Sequence, residues 1–446
     1  MRESERTIAV ATLGCKVNTY DTDALLTLFA EKGYTTVDFG ERADIYVINT
    51  CAVTNISSRK SRKLVRRAVA ANPGAVVVVA GCYAQTSPDE AAAIEGVSIV
   101  IGTGDRALIV EAVENFRYGN GVQVYKIVAD GQFDEPSTGG AAAEAGHEEF
   151  MGGRFRKRAY LKVQDGCDNF CSYCIVPHAR GRARSRSFAG AIGEARALAA
   201  EGRKEVVVSG IHVASYGKDI GNVGLADLLQ ALHGINGIER LRLSSVEPTL
   251  ITDEFITLMR ELPKLAHHLH LSLQSGSDKI LAAMNRRYTT AEYARAVAAL
   301  RKAFPDIAVT TDMIVGFPGE SEGDFADSLA FVESLDLSRI HVFRYSQKKG
   351  TSAAAMPNQI SSTEKAARAD EMSRLGEKLA NKFVASQIGK VLEVLYESEV
   401  DDGIYEGYSG NYVAVRRRSD KDIRNRILPS EIVSAHGDIA LTYCNN

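Results

Sequence analysis

Three closely spaced cysteines are the first residues in this sequence whose types and spacing could do chemistry. Cys167, Cys171 and Cys174 form a C-x3-C-x2-C motif within the stretch VQDGCDNFCSYCIVPHARGRARSRS. Zinc sites usually combine two pairs of ligands, and no second pair follows here. Three thiolates suit a soft iron–sulfur cluster, in which one iron stays open to another ligand. The alternative, a set of buried structural cysteines, fits poorly with a loop rich in Gly, Asp and Asn.

Three further cysteines share a common context. Cys15, Cys51 and Cys82 occur in TLGC, INTC and AGC, each directly after an apolar, strand-like run. Parallel strands end at the same edge of a sheet, so the sequence predicts that these thiols meet at one edge. The alternative is that they are free buried thiols. Cys444 has no comparable context, and we interpret it as incidental.

The elements that must position these cysteines belong to an α/β fold. RTIAVATLG, DIYVINT and AVVVVAG read as strands separated by helical patterns, which predicts a parallel sheet. Six later strands alternate with helices, fewer than the eight of a closed barrel, and short strands with turns follow. We therefore expect an N-terminal parallel-sheet βα domain, a partial (βα)6 barrel and a small C-terminal all-β domain. The expected boundaries are 1–133, a linker at 134–153, 154–380 and 381–446.

Composition and charge exclude several classes of protein. The chain has 446 residues, of which 45% are hydrophobic and 24% charged, as in ordinary globular proteins. No apolar run is long enough to span a membrane, and the N-terminus lacks the pattern of a signal peptide. We expect a cytoplasmic protein, in which seven cysteines favour metal binding or catalysis over disulfides. A net charge of −3 means that any contact with nucleic acid must be local.

Positive charge is concentrated in short runs. The candidate phosphate contacts are Arg180, Arg182, Arg184 and Arg186 after the cysteine loop, and Arg416, Arg417 and Arg418 near the C-terminus. A third run, SRKSRKLVRR, follows Cys51. Such runs are typical either of a solvated surface or of binding to a phosphate backbone, and several of them together favour RNA. Tyr405, Tyr408 and Tyr412 could stack on unpaired bases or pack within a sheet.

The cysteine patterns carry a resemblance to a known family. A C-x3-C-x2-C motif at the end of the first strand of a partial barrel resembles the radical S-adenosylmethionine (SAM) superfamily. The three N-terminal cysteines together with DGCDNFCSYCIVPHARGRARSR resemble the methylthiotransferase family within it. The resemblance covers nearly the whole chain and implies that the C-terminal domain is a TRAM domain. TLGCKVNTYDTD and VQDGCDNFC most resemble the branch that acts on N6-threonylcarbamoyladenosine in tRNA.

The resemblance implies two 4Fe–4S clusters and SAM, which would serve as radical source and as methyl donor. Cys167, Cys171 and Cys174 would hold the cluster that cleaves SAM. Cys15, Cys51 and Cys82 would hold an auxiliary cluster that carries the sulfur. Catalysis would then take place on the clusters, without an acid or base from the protein.

Polar residues near the ends of the barrel strands are candidate SAM contacts. They are Gly210, His212, Ser244, Ser245, Glu247, Gln274, Ser275, Asp312 and Arg344. Each alone has an ordinary structural explanation, such as a turn or a solvated loop. Together, at one rim of a barrel, they favour a cofactor pocket.

The expected activity is methylthiolation of C2 of N6-threonylcarbamoyladenosine at position 37 of tRNA. The same chemistry on isopentenyladenosine in tRNA, or on an aspartate of a ribosomal protein, is an alternative. A non-catalytic iron–sulfur protein and a zinc-stabilised RNA-binding protein are alternatives of another class. Expected partners are the tRNA anticodon stem-loop, an electron donor such as flavodoxin or ferredoxin, and a sulfur source. We expect a monomer without membrane association.

Overall fold

A computed structural model describes residues 6–104, 106–119, 121–125 and 158–442 of the chain. The predicted linker and Cys444 lie outside these residues. The chain forms two compact units: the first combines the N-terminal part with 160–168 and 174–201, and the second contains 169–173 and the residues from 202 onward. Among the described helices, none is both long and apolar enough to cross a membrane.

Six parallel strands form the sheet of the first unit, in the order β2-β1-β3-β4-β5-β6. The strands are β1 (Thr7–Thr12), β2 (Thr35–Thr36), β3 (Ile45–Thr50), β4 (Val76–Gly81), β5 (Ile99–Ile101) and β6 (Gln123–Tyr125). The helices are α1 (Lys16–Glu31), α2 (Asn55–Ala71), α3 (Cys82–Thr86), α4 (Pro88–Ala92) and α5 (Ala107–Glu114). Strands β3 and β4 are buried along their whole length, because an apolar cluster packs on each face of the sheet. This confirms the predicted parallel-sheet domain.

A short antiparallel pair holds the two ends of the cysteine-rich loop together. The chain continues through β7 (Arg158–Lys162), β8 (Gln164–Asp165), α6 (Val176–Arg180), β9 (Arg184–Ser185) and α7 (Phe188–Ala200). Within the pair, Gln164 faces Ser185 and Asp165 faces Arg184. The residues before and after the three cysteines therefore lie side by side.

The barrel strands of the second unit alternate with helices, as predicted. They are β10 (Glu205–Ser209), β11 (Arg240–Leu243), β12 (His268–His270), β13 (Ala308–Val315) and β14 (Arg339–Arg344). The helices are α8 (Leu225–His233), α9 (Asp253–Glu261), α10 (Asp278–Ala283), α11 (Thr290–Ala303) and α12 (Glu322–Leu335), with 3-10 turns at Val213–Ser215, Pro248–Leu250 and Ser352–Ala355. β10 pairs in parallel with β11, and β13 with both β12 and β14. A parallel bridge between Val246 and Leu271 connects the two groups of strands.

β12 is shorter than the strand predicted from HHLHLSLQ. Beyond it, the hydroxyl of Thr311 takes the place of a backbone partner, since it accepts from the Leu273 amide at 2.9 Å and donates to the Leu271 carbonyl at 2.5 Å. A side chain thus interrupts the regular ladder just before the strand reaches Gln274.

The C-terminal residues form a closed five-stranded barrel after a long helix, α13 (Ser362–Ala385). Its strands are β15 (Val391–Asp401), β16 (Ile404–Ser409), β17 (Ala414–Arg418), β18 (Arg426–His436) and β19 (Ile439–Thr442), in the order β15-β16-β17-β19-β18. Arg240 and Arg242 from β11 donate to carbonyl groups of this barrel, and both pair with Glu205 at 2.8–2.9 Å. The predicted all-β domain is confirmed, and these arginines attach it to the barrel strands.

Candidate functional site

The three N-terminal cysteines lie together at the carboxyl edge of the first sheet. Cys15 is the N-cap of α1, Cys51 directly follows β3, and Cys82 begins α3 directly after β4. Strands β1, β3 and β4 are adjacent and parallel, so these three positions meet. A Cβ atom at Gly14 would lie 3.1 Å from the Cys51 sulfur, which shows how closely the loop before Cys15 approaches Cys51.

Glycine before Cys82 allows the tight turn that brings this sulfur to the edge. Gly81 has a φ of 89°, and a Cβ there would lie 2.5 Å from Asn49 Oδ1 and 2.8 Å from the Thr50 carbonyl. Any other residue would be strained and would push the adjacent strand end away. Gly14 has a φ of 115°, so the turn before Cys15 depends on glycine in the same way.

The surroundings of these thiols suit a soft metal cluster. Burial raises the pKa of the Cys82 thiol to about 12; Arg180 opposes this shift, while Cys51 and Cys15 add to it. Burial likewise raises the pKa of Cys51, to which Cys15 contributes. A metal that binds these thiols must displace their protons, and soft thiolates are the ligands that an iron–sulfur cluster requires. The donor set therefore fits the auxiliary cluster that the resemblance implies.

The geometry differs from that of a single-ion site. Within the described part of the chain, no three His, Cys, Asp or Glu side chains are grouped so that they could hold one metal ion. In an iron–sulfur cluster each thiolate binds a different iron, so the sulfurs need not converge on one point.

The loop with the second set of cysteines is fixed by backbone contacts. Within the first unit, the amide of Cys167 donates to the Gly181 carbonyl at 3.1 Å. Within the second unit, Ser172 donates through its amide to the Met284 carbonyl at 3.0 Å and accepts from the Ala353 amide at 2.8 Å. All three cysteines of this loop are partly exposed. The loop can therefore present its thiols to a ligand without losing its own hydrogen bonds.

Cys171 contacts an arginine that sequence reasoning missed. Arg286 Nη1 donates to Cys171 Sγ at 3.3 Å, while its Nη2 lies 2.9 Å from Glu247 Oε1 and its Nε donates to the Tyr288 hydroxyl. Arg286 follows α10 in the segment MNRRYTT, which carries no periodic or metal-binding signal. Only its place in the fold reveals that it contacts a predicted cluster ligand.

Glu247 connects several of the predicted site residues. Its carboxylate accepts from Asn169 at 2.9 Å and lies 3.3 Å from His212 Nε2, in addition to the ion pair with Arg286. Burial opposes ionisation, but the close contact with His212 and the charge of Arg286 hold the pKa of Glu247 below its usual value. The structure therefore joins Glu247 and His212 directly to the residues around Cys171.

Two other strand-end residues have properties expected of ligand contacts. Ser244 is buried, and its hydroxyl has no hydrogen-bond partner among the described residues. Gln274 has a φ of 74°, a left-handed conformation that is strained for a residue other than glycine and is common at functional sites. A polar ligand would satisfy Ser244, and the backbone strain at Gln274 fits a functional position.

The remaining predicted SAM contacts differ in their surroundings. Ser245 and Arg344 are exposed, Gly210 follows β10 at intermediate exposure, and Asp312 lies 3.2 Å from His270 Nε2. Ser275 is buried, and its hydroxyl accepts from the Ser277 amide and lies 3.4 Å from the Ser328 hydroxyl. These contacts hold Ser275 inside the fold, and its role as a SAM contact stays a prediction.

Two of the predicted RNA contacts are buried. Arg180 is 1% exposed and pairs with Asp165, and Arg186 is 2% exposed and pairs with Glu194. A guanidinium enclosed with its carboxylate cannot reach a phosphate of RNA, so the expectation for Arg180 and Arg186 is wrong. The sequence pattern alternates basic residues without showing which of them point inward.

Other basic residues are accessible to different degrees. The Arg182 side chain is 77% exposed, whereas Arg184 is largely enclosed and lies 3.7 Å from Asp165. In the C-terminal barrel Arg418 is exposed, while Arg416 pairs with Glu406 and Arg417 contacts the Pro429 carbonyl.

The tyrosines of the C-terminal barrel mostly pack within the protein. Tyr405 belongs to the barrel core. Tyr412 stacks on His268 at 4.6 Å, and the Arg158 guanidinium lies 4.7 Å from the Tyr408 ring. The packing interpretation therefore holds for Tyr405, and the other two tyrosines make contacts within the protein.

Comparisons with known proteins show which family this chain is similar to. Residues 161–332 match the radical SAM superfamily, and residues 7–102 match an uncharacterized protein family, UPF0004. A threonylcarbamoyladenosine tRNA methylthiotransferase, MtaB, of Bacillus subtilis is 40% identical over 96% of this chain and 94% of its own length. A tRNA-2-methylthio-N6-dimethylallyladenosine synthase of Caldicellulosiruptor saccharolyticus is 36% identical over 93% of this chain and 86% of its own length.

A solved structure supports the fold. The radical SAM methyltransferase TsrM of Kitasatospora setae superposes with a TM-score of 0.58 at 18% identity, covering 78% of this chain and 77% of that one. At this identity the similarity concerns the fold alone. Because relatives at 35–40% identity match it over nearly their whole length, the chain belongs to the radical SAM methylthiotransferase family.

Proposed function

We propose that this chain methylthiolates C2 of N6-threonylcarbamoyladenosine at position 37 of tRNA. The observation that carries the proposal is the pairing of two cysteine triads in a chain that aligns throughout with enzymes named for this reaction. Relatives named for dimethylallyladenosine are 33–36% identical, so that adenosine is the second candidate substrate. An electron carrier or a zinc-binding module would not require both triads and the polar strand ends.

The two sets of three cysteines would have different roles. A cluster at one set would supply the electron that cleaves SAM and generates an adenosyl radical. A cluster at the other set would supply the sulfur that replaces the C2 hydrogen, and a second SAM would supply the methyl group. Cys167, Cys171 and Cys174 would hold the first cluster, and Arg286 would orient the thiolate of Cys171.

The polar residues around Cys171 would bind SAM. Glu247 accepts a hydrogen bond from Asn169 and contacts His212, and the buried hydroxyl of Ser244 is available to a ligand. Gln274, Ser245, Gly210, Asp312 and Arg344 remain candidate contacts at the strand ends. Such positions at the ends of barrel strands are where α/β barrels bind their cofactors.

An exposed basic surface would bind the anticodon stem-loop. Helix α2 begins four residues after Cys51 and carries no acidic residue. Its exposed cations are Arg59, Lys60, Lys63, Arg66 and Arg67. Arg182 and Arg418 are further accessible contacts. A cationic face beside the auxiliary triad would hold phosphates of the RNA near the sulfur donor.

We also propose the remaining partners and the setting. An electron donor such as flavodoxin or ferredoxin would reduce the first cluster, and a sulfur source would replace the sulfur that each product carries away. The chain would act as a monomer in the cytoplasm, where its tRNA substrate is found.

Two cysteine variants test the function. The full-length protein is reconstituted anaerobically with iron and sulfide, and nucleosides are analysed by mass spectrometry after reaction with tRNA that has or lacks the threonylcarbamoyl group. Cys171→Ala abolishes SAM cleavage, since the first cluster loses a ligand. Cys51→Ala retains cleavage and loses the methylthio product. Methylthiolation at a normal rate by Cys51→Ala would contradict the assignment of the auxiliary cluster, and a product only on dimethylallyladenosine would favour the second substrate.

A further inference from the structure

Arg180 is a fully buried cation that neither the expected chemistry nor RNA binding uses. Its Nη1 lies 3.0–3.1 Å from both oxygens of Asp165. Its Nη2 donates to Asn18 Oδ1 at 2.6 Å and to Asp21 Oδ2 at 2.9 Å. Lys162, also fully buried, bridges the two carboxylates at 2.9–3.0 Å. A guanidinium whose two terminal nitrogens are both engaged in this way has one defined orientation.

Asn18 transmits that orientation to two of the cysteine loops. Its amide nitrogen donates to the Leu13 carbonyl at 2.7 Å and to the Thr50 carbonyl at 2.9 Å. Leu13 lies two residues before Cys15, and Thr50 directly precedes Cys51. One side chain therefore holds the ends of β1 and β3 at a fixed separation, and Arg180 holds that side chain.

Arg180 is also a permanent positive charge in the interior of the first unit, because a guanidinium stays protonated at any physiological pH. Asp165 in turn accepts from the Gly166 amide at 2.8 Å, which fixes the carboxylate that orients the arginine. A cation fixed in this way close to the loops of Cys15 and Cys51 would offset part of the negative charge that a bound cluster brings.

We propose that Arg180, acting through Asn18, is a positioning residue that holds Cys15 and Cys51 in the arrangement required by the auxiliary cluster and offsets part of the negative charge of that cluster. This inference rests on the proposed function and assigns a supporting group to its sulfur-carrying site. Removal of a partner that orients a metal ligand typically weakens metal binding by about 10–100-fold.

The test measures release of iron from the auxiliary site alone. In the full-length chain, Cys167, Cys171 and Cys174 are replaced by Ala, so that bound iron reports on the N-terminal triad. Arg180→Met is combined with Asp165→Asn, which removes the opposite charge and retains the acceptor for Gly166. After anaerobic reconstitution, transfer of iron to a chelator is followed by absorbance, and the cluster is followed by electron paramagnetic resonance.

We expect iron release from the Arg180→Met/Asp165→Asn variant to be about 10–100-fold faster. Asn18→Leu retains the cation but removes the amide, and it should also accelerate release, because the two carbonyl groups lose their common donor. If the arginine variant does not fold, Asn18→Leu decides the question. Arg186→Met/Glu194→Gln removes another buried pair of the same segment and should release iron at the original rate, within about twofold.

Two results would overturn the inference. One is unchanged release in the Arg180 and Asn18 variants; the other is equal acceleration in the Arg186 control, which would indicate a general loss of stability. Failure of the parent chain to bind iron through its N-terminal triad is a different result, and it would count against the proposed function itself.

Discussion

The contact between Arg286 and Cys171 allows a quantitative prediction for the first cluster. Arg286→Met retains most of the side-chain volume and removes both the charge and the hydrogen bond, which spans 3.3 Å from Nη1 to Sγ. Hydrogen bonds that involve a charged group contribute about 1.5–3 kcal/mol. This bond strengthens when the cluster gains an electron, because the sulfur then carries more negative charge. If about 1.4 kcal/mol of it depends on the redox state, the one-electron potential falls by about 59 mV.

The measurement is a redox titration followed by electron paramagnetic resonance. The N-terminal cysteines are replaced by Ala so that a single cluster contributes to the signal. Arg286→Met also leaves Glu247 without its cation, which by itself lowers the potential, so Arg286→Met/Glu247→Gln separates the two effects. Tyr288→Phe removes the partner of Arg286 Nε and leaves the contact with Cys171 intact. Potentials unchanged in both Arg286 variants, or lowered equally in Tyr288→Phe, would refute the reasoning.

Two further predictions concern stability and RNA binding. Arg242 and Arg240 overcome the effect of burial and hold the pKa of Glu205 at about 2. The stabilisation that the Glu205 carboxylate provides is therefore complete above its unfolded pKa of 4.5 and is lost as the pH falls towards 2. Between pH 7 and pH 3, the free energy of unfolding in urea should fall by about 2 kcal/mol more for the wild type than for Glu205→Gln, and equal losses would contradict this. Lys60→Glu/Lys63→Glu should weaken tRNA binding by roughly tenfold and lower the slope of log affinity against log salt by about two. The control is Lys302→Glu on α11, outside the proposed RNA surface. An unchanged slope in the Lys60→Glu/Lys63→Glu variant would exclude α2 from the interface.

The sequence allows the auxiliary site to be predicted because its geometry follows from topology. Cys15, Cys51 and Cys82 each follow a strand, and adjacent parallel strands end at one edge, so their convergence requires no knowledge of side-chain packing. The closed C-terminal barrel was likewise predictable in type from short strands and turns. In these cases the local pattern and the global fold impose the same constraint.

Contacts between distant residues were not predictable in this way. Arg180 and Arg186 belong to a run that is typical of a solvated surface. Both are nevertheless buried, where Arg180 pairs with Asp21 and Arg186 pairs with Glu194. Arg286 lies 115 residues from Cys171, and nothing in its local sequence marks that contact. A charged side chain is buried only when the fold brings an opposite charge to it, and that partner is specified by tertiary structure rather than by spacing.

The two triads differ in a way that bears on their separate roles. At the N-terminal triad, Cys51 and Cys82 are buried and Cys15 is exposed, and Arg180 acts on the buried side, where its two carboxylates hold it fixed. If these cysteines hold the auxiliary cluster, two of its ligands would come from buried positions and the third, Cys15, from an exposed one. In the second loop all three cysteines are partly exposed, and Arg286 pairs with Glu247, which His212 and Asn169 also contact. This difference in exposure fits the proposed division of roles, in which the second triad must admit SAM.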